Sequence, residues 1–171
     1  MGQQEICYDT ELTIDGMGMV IYSIGAVEHI NEGENFFSKE FSKPEQVAEH
    51  IRKGDIVGFN LGTSGTFNIK FRSGYPSLLI EQQYPISIRL ALNVIGGTIS
   101  IIDLFWLMEW SNDCPQSQQI NLEDGYYHMT VSTARPKSGI WGDSQDIYIF
   151  LEKIDVMPKL AWSAIPQLYI E

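Results

Sequence analysis

Apolar and polar residues alternate with a period of two through much of this chain, and that period predicts strands. The clearest run is Ile86–Val94. Ile86, Ile88, Leu90, Leu92 and Val94 share one face, and Ser87, Arg89, Ala91 and Asn93 share the other. Tyr126–Ser132 repeats the pattern, with Tyr127, Met129 and Val131 set against Tyr126, His128, Thr130 and Ser132. One buried and one wetter face follow. Asp124-Gly125 launches this strand, and the long polar loop Arg135–Asp146 returns the chain into a partner strand, Ile147–Leu151. Thr66–Arg72 alternates Phe67, Ile69 and Phe71 with Asn68, Lys70 and Arg72, and Asp55–Leu61 precedes it across Gly62–Gly65. Glu5–Ile14 and Met17–Ile24 read as a hairpin about Asp15-Gly16, with Met17, Met19 and Ile21 on one face. Gly96-Gly97 reads as a tight hairpin into Thr98–Ile102, and Leu78–Ile80 as a short strand. Asp103–Trp110 carries two signals: Leu104, Leu107 and Met108 have helical spacing, while its aromatics favour a strand that ends irregularly.

One stretch has the period of a helix. In Ser42–Lys53, Ser42 is placed as N-cap with Glu45 three residues on, Pro44 lies in the first turn, and Gly54 ends the run. Val47, Ala48 and Ile51 form its apolar stripe, and Glu49, His50, Arg52 and Lys53 its solvated side. Asn112–Gln119 reads as a polar loop. Beyond Leu151 the prolines at 158 and 166 predict an irregular tail, whose Leu160, Trp162, Ile165, Leu168 and Tyr169 must pack on the body. Many short strands, glycine-rich turns and a single helix predict a mainly β protein: an antiparallel β-sandwich, jelly-roll or C2-like, with one principal α-helix, in a single domain over 1–171. Its expected core is Ile88, Leu90 and Leu92 with Met129, Val131, Ile147 and Ile149.

Charge narrows the function classes. The chain has 22 acidic and 11 basic residues, a net charge of −11. That disfavours direct contact with nucleic acid or an anionic membrane, which needs clustered Lys and Arg. It admits a basic protein partner, and it equally serves solubility. Cys7 and Cys114 lie far apart in sequence, and the N-terminal run has no basic and apolar regions of a leader, so reduced thiols in a cytoplasm are expected. Ile6 occupies the place where an N-myristoylation signal beginning Met1-Gly2 needs Ser or Thr, which argues against that modification. The apolar run Ile99–Met108 is too short to span a bilayer and is broken by Ser100 and Asp103.

Candidate chemistry is sparse. His29, His50 and His128 lack metal-ligand spacing with each other or with either cysteine, so no metal or cofactor is expected. There is no nucleophile elbow, and Gly62-Thr63-Ser64-Gly65 has neither the lysine nor the helix of a phosphate cradle. No catalytic residue is nominated. Glu123, Asp124, Asp143 and Asp146 are expected near one end of the sandwich, where paired carboxylates would suit a glycosidase but loop carboxylates in so acidic a chain are usually only solvated, and the calcium-loop pattern is missing. Trp141, between glycines in a polar loop, is open to two roles: a partner anchor, or a lid folded over the sandwich end.

The segment from Ile86 to Leu151 resembles a bacterial family tied to immunity proteins of polymorphic toxin systems and, more distantly, the competence nuclease inhibitors of bacilli. The residues that carry the likeness are the Ile86–Val94 strand, the Gly96-Gly97 turn, Asp103-Leu104-Phe105 with Leu107-Met108-Glu109-Trp110, and Glu123-Asp124-Gly125-Tyr126-Tyr127-His128 leading to Tyr148–Leu151. The resemblance implies a non-catalytic β-sandwich that binds and neutralises a toxin or nuclease, and the acidity of the chain makes that partner a basic one. The net charge and the long Arg135–Asp146 loop, with its aromatic and carboxylates, make Trp141, Asp143, Asp146, Glu123 and Asp124 the expected partner-binding residues. The competing expectation is a carbohydrate-binding or sugar-active protein using Trp141 or Trp110 as a stacking platform.

Overall fold

The computed structural model describes residues 5–170. Met1 and Gly2, and with them the start of the chain where a leader or a myristoyl site would be sought, lie outside the described residues. Among the described residues nine strands form two facing sheets: β1 (Cys7–Ile14), β2 (Gly18–Ser23), β3 (Ile56–Asn60), β4 (Gly65–Ser73), β5 (Ile86–Val94), β6 (Thr98–Asp103), β7 (Gln119–Asn121), β8 (Gly125–Thr133) and β9 (Gln145–Ile154). Sheet A has the order β1-β4-β9-β8-β5 and sheet B the order β3-β2-β6-β7. Every pairing is antiparallel except β4 with β9. The mainly β sandwich that the alternation predicts is therefore the fold. Among the described residues no helix is long and apolar enough to cross a membrane.

The expected core lies between the sheets. Leu90, Leu92, Met129, Val131, Ile147 and Ile149 are buried, and Ile88 packs against them at the rim. Register explains the set: Ile88 lies opposite Val131 and Leu90 opposite Met129, with Val131 opposite Ile149 on the next strand.

Two expected hairpins do not form. β1 pairs with β4 in sheet A, whereas β2 pairs with β3 and β6 in sheet B. The link at Asp15-Gly16 thus changes sheets. The Asp103 carboxylate holds it, accepting from Asp15 N at 2.7 Å and Gly16 N at 3.0 Å. Met17 turns the corner at φ 60° and is half-exposed, away from the face of Met19 and Ile21. Likewise β5 and β6 belong to different sheets, and Gly96-Gly97, at φ 96° and 75°, carries the chain between them. After β6 the chain does not continue as a strand. Asp103 Oδ1 caps Phe105 N, and Leu104–Leu107 winds into a 3₁₀ turn, so the helical spacing prevails over the aromatic signal.

The principal helix, α1, is Pro44–Lys53, with Gly54 ending it at φ 69°. Its N-cap position is Lys43 rather than Ser42. Gln46 Oε1 accepts from both Ser42 N and Lys43 N at 3.1 Å, which satisfies donors that a serine side chain was expected to reach. His50 is buried, not solvated. The preceding π-helical turn Phe37–Phe41 folds over it, bringing Phe36 and Phe41 to its ring and Glu40 Oε1 within 3.7 Å of Nε2. A second helix, α2 (Leu78–Gln83), replaces the strand expected at Leu78–Ile80 because Ser77 Oγ accepts from Ile80 N and nucleates it. The predicted wetter face of β8 is only partly wet: Thr130 and Ser132 are buried, with Arg89 Nε on Thr130 Oγ1, Ser87 on Ser132, and Tyr75 beneath the Arg89 guanidinium. In the tail, Leu168 is buried and Leu160 and Trp162 pack on the core, while Ile165 stays exposed.

Leu90→Ala should cost roughly 2–5 kcal/mol, because it removes a large side chain from a filled interior. Chemical denaturation measures this. A loss below about 1 kcal/mol would mean that the face assignment is wrong.

Candidate functional site

The loop between β8 and β9 grows out of a buried polar base. Gln145, at 1% exposure, donates from Nε2 to Thr133 Oγ1 at 2.9 Å and accepts Gly142 N on Oε1 at 3.0 Å. Thr133 Oγ1 in turn donates to Asp146 O at 2.7 Å. Gly142 O accepts Thr66 N at 2.8 Å, and the Gly142 backbone lies directly on that of Gly65. A Cβ on Gly142 would come within 2.6 Å of Ser64 O, and its φ is 80°, so glycine is required at this crossing. Four hydrogen bonds at the foot of the loop fix its course before any partner arrives, which lowers the ordering cost of binding.

Trp141 stands above this base. It is half-buried, and the Arg135 guanidinium lies 5.4 Å from its ring centroid. One portion of the side chain is held by the protein and the rest is open. Asp143 is exposed. Asp146 is not in the loop but in β9, where its carboxylate accepts from Asn68 Nδ2 at 3.2 Å and Tyr84 Oη at 3.1 Å and lies 3.7 Å from Lys70 Nζ. Its charge is largely committed to the sheet surface. Between this loop and the end of α2 runs an open groove of about 750 Å³, lined by Tyr84, Arg135, Lys137, Asp143 and Asp146 among others. Two cations and two carboxylates make it mixed rather than acidic.

Glu123 and Asp124 are not part of this surface. They precede β8, whereas Trp141 and Asp143 follow it, and the nine-residue strand separates them by on the order of 25–30 Å. Each also has an internal role. Glu123 pairs with Lys153 Nζ at 3.0 Å, and Asp124 Oδ1 accepts Gly97 N at 2.7 Å. The expected five-residue site is thus a pair, Trp141 and Asp143, with Asp146 beside it and the other two at the far end of the hairpin. What the sequence did not nominate is the supporting set, Thr133, Gly142 and Gln145. Its only local signals are the glycines at 65 and 142, since the partners are joined across strands.

Other concentrations of reactive groups are accounted for. His50 Nδ1 lies 3.0 Å from Asp55 Oδ1 and Nε2 faces Glu40, so both ring nitrogens meet carboxylates and neither is left for a substrate. His128 Nδ1 shares a 2.7 Å hydrogen bond with Tyr75 Oη. Cys7 and Cys114 are free thiols, and burial pushes the Cys114 thiol up. Among the described residues no three His, Cys, Asp or Glu side chains are grouped to hold a metal ion. Trp110 is 1% exposed and packed on Tyr22, so it offers no face to a sugar. An apolar concavity of about 230 Å³ opens on sheet B, floored by Gly18 and Gly58 and walled by Phe37, Phe41 and Leu104, with no ionisable side chain in its lining.

No family model matches the chain, and no curated protein matches it. Among solved structures, ComJ of Bacillus subtilis, an inhibitor of the DNA degrading activity of NucA, is similar with a TM-score of 0.55 at 14% identity, covering 88% of this chain and 99% of ComJ. The product of crocagin biosynthetic gene J aligns with a TM-score of 0.49 at 11% identity, over 86% of this chain and 97% of its own. The likeness to ComJ shows that this chain has a fold that a nuclease inhibitor also has.

Gln145→Ala should cost about 1–3 kcal/mol by stranding the buried Gly142 N, while the Thr133 hydroxyl keeps its bond to Asp146 O, read by chemical denaturation. Tyr84 supplies a second check. Burial, with the Asp146 charge adding to it, pushes its phenol up to about 12. Ultraviolet titration of Asp146→Asn should bring that phenol back toward its ordinary value near 10. Because the folded value is the raised one, the stabilisation is complete below about 10 and is lost as the pH climbs toward the folded value.

Proposed function

We propose that this chain is a single-domain, non-catalytic binding protein of the inhibitor or immunity class that neutralises a basic toxin or nuclease. The observation that carries the reading is the shared fold with ComJ, a nuclease inhibitor, over 88% of the chain. The net charge of −11 supports it. A nuclease that grips phosphates presents a basic cleft, and an acidic protein is steered onto such a cleft and excludes the substrate with no chemistry of its own. The Trp141 loop supports it in a second way. It pairs one large aromatic, part-ordered in advance, with an exposed carboxylate, the combination of an anchor and a charged rim.

The test is a plasmid-degradation or toxicity assay with the product of the gene adjacent to this one, titrated with purified protein. Stoichiometric loss of activity, with association slowed by added salt as charges are screened over about 8–10 Å, is the expected result. No binding and no inhibition at an excess of protein would overturn the reading. With an inhibited partner in hand, Trp141→Ala should raise the dissociation rate roughly 10- to 100-fold. Asp143→Asn should chiefly slow association and flatten its salt dependence. If both variants remain folded and bind as the parent does, the loop is not the interface.

A further inference from the structure

A strand at the edge of a sheet presents a row of unpaired N–H and C=O groups, which accept another strand unless something blocks them. The four edges here are β1 and β5 of sheet A and β3 and β7 of sheet B. Three are short or partly closed. β7 has three residues. β3 is met by the tail, where Asn60 N donates to Pro166 O at 2.8 Å and Leu168 N to Asn60 O at 2.9 Å. β5 follows directly on Pro85 and is closed at its far end, where Asn93 N donates to Gly54 O at 2.8 Å and Asn93 O accepts from Ser23 Oγ at 3.2 Å.

β1 differs. Ser73 N donates to Ile6 O at 3.1 Å, so the antiparallel register turns the main-chain groups of Tyr8, Thr10, Leu12 and Ile14 toward β4. Those of Cys7, Asp9, Glu11 and Thr13 face the other way, and no hydrogen bond among the described residues reaches them. The side chains of the same four residues are exposed on the outer face. β1 contains no cation; Asp9 and Glu11 lie within it, and exposed Glu5 and Asp15 flank it. Asp9 alone of these makes an ion pair, with Arg72 at 2.6 Å.

We propose that β1 is a docking edge, and that an extended segment of a basic protein partner adds to sheet A there, with Lys or Arg at alternate positions facing Asp9 and Glu11. Main-chain hydrogen bonds to the free edge supply affinity, and the carboxylate row selects the partner. The same row discourages a second copy of this chain, because two β1 edges set together oppose like charges. The Trp141 loop is continuous with the edge. Ile14 pairs with Gly65, and Gly65 lies on Gly142, which places the two surfaces about two strand spacings, roughly 10 Å, apart. The inference rests on the reading of the chain as a binder of a basic protein, and it adds the strand that binds and the chemistry it selects.

The probe is a short synthetic peptide with lysine at alternate positions and threonine between, added to the full chain and followed by amide hydrogen exchange in NMR spectra. Exchange at Cys7, Asp9, Glu11 and Thr13 should slow by about tenfold or more at saturation, with Ser87 and Arg89 of β5 unchanged. Binding should weaken as salt is added, and the peptide with glutamate in place of lysine should not bind. The same peptide N-methylated on the amides that face β1 should lose binding without any change to the protein. Glu11→Pro should lose it too, since that N–H is unused by β4 and proline is tolerated on the free side of an edge strand. Equal binding by the N-methylated peptide, protection on β5 instead of β1, or no protection at peptide concentrations on the order of millimolar overturns the proposal. Those results leave the nuclease assay untouched, so edge and inhibitor readings fail separately.

Discussion

The architecture depends on the chain changing sheets at short links. The connections β1–β2, β3–β4, β5–β6 and β7–β8 each cross between sheets A and B, whereas β2–β3, β4–β5, β6–β7 and β8–β9 remain within one. A link of a few residues that crosses an apolar core cannot satisfy its own amides, and buried or half-buried donors without partners are costly. Two aspartates resolve this. Asp103, at the end of β6, accepts Asp15 N, Gly16 N and Phe105 N, and so fastens the first crossing to the turn after β6. Asp124 accepts Gly97 N, while Leu122 N donates to Gly97 O, so the third and fourth crossings hold each other. With the crossings set, the inner faces of both sheets meet and the apolar alternation of β4, β5, β8 and β9 has one place to go.

The acidity of the chain divides into carboxylates with structural work and carboxylates left to solvent. Asp103 and Asp124 hold crossings, Asp146 and Glu123 pair with lysines, and Asp55 meets His50. The groove at the Trp141 loop brings Arg135 and Lys137 against Asp143 and Asp146, so a partner arriving there meets little net charge. The unspent negative charge lies elsewhere, along β1 among other places. Long-range steering depends on the summed field and not on one contact patch, so the net charge of −11 acts over the whole surface whatever the balance within this groove.

The base of the loop shows how a site on a connection acquires definition. Gln145 and Thr133 are buried polar side chains, and each finds its partners in the other and in the nearby backbone. A satisfied buried network of this kind has one low-energy arrangement, which gives the loop above it one course. Trp141 then stands on this base with part of its surface covered by Arg135.

Several features were legible in the residues alone. Alternation set the limits of β5, named the apolar core residues that β5, β8 and β9 share, and separated them from a single principal helix ended by Gly54. Proline and glycine placement located the tail and the long loop carrying Trp141. These follow from local geometry, because side-chain direction has a period of two in a strand and 3.6 in a helix whatever lies beyond. Apart from β8 with β9, which pair as the long loop between them predicts, strand partnership was not legible. Asp15-Gly16 and Gly96-Gly97 announce that the chain turns, but a turn within a sheet and a turn between sheets use the same residues, and the carboxylate that decides the first case is Asp103, far along the chain. Helical spacing put His50 with the charged residues, and only the fold of Phe37–Phe41 over α1 buries it. Glu123 and Asp124 lie beside Trp141's strand pair in sequence and at its opposite end in space, since β8 is extended between them. Which face of an element is apolar is a local property of the sequence; what covers that face, and which ends meet, is decided by pairings between residues far apart in the chain.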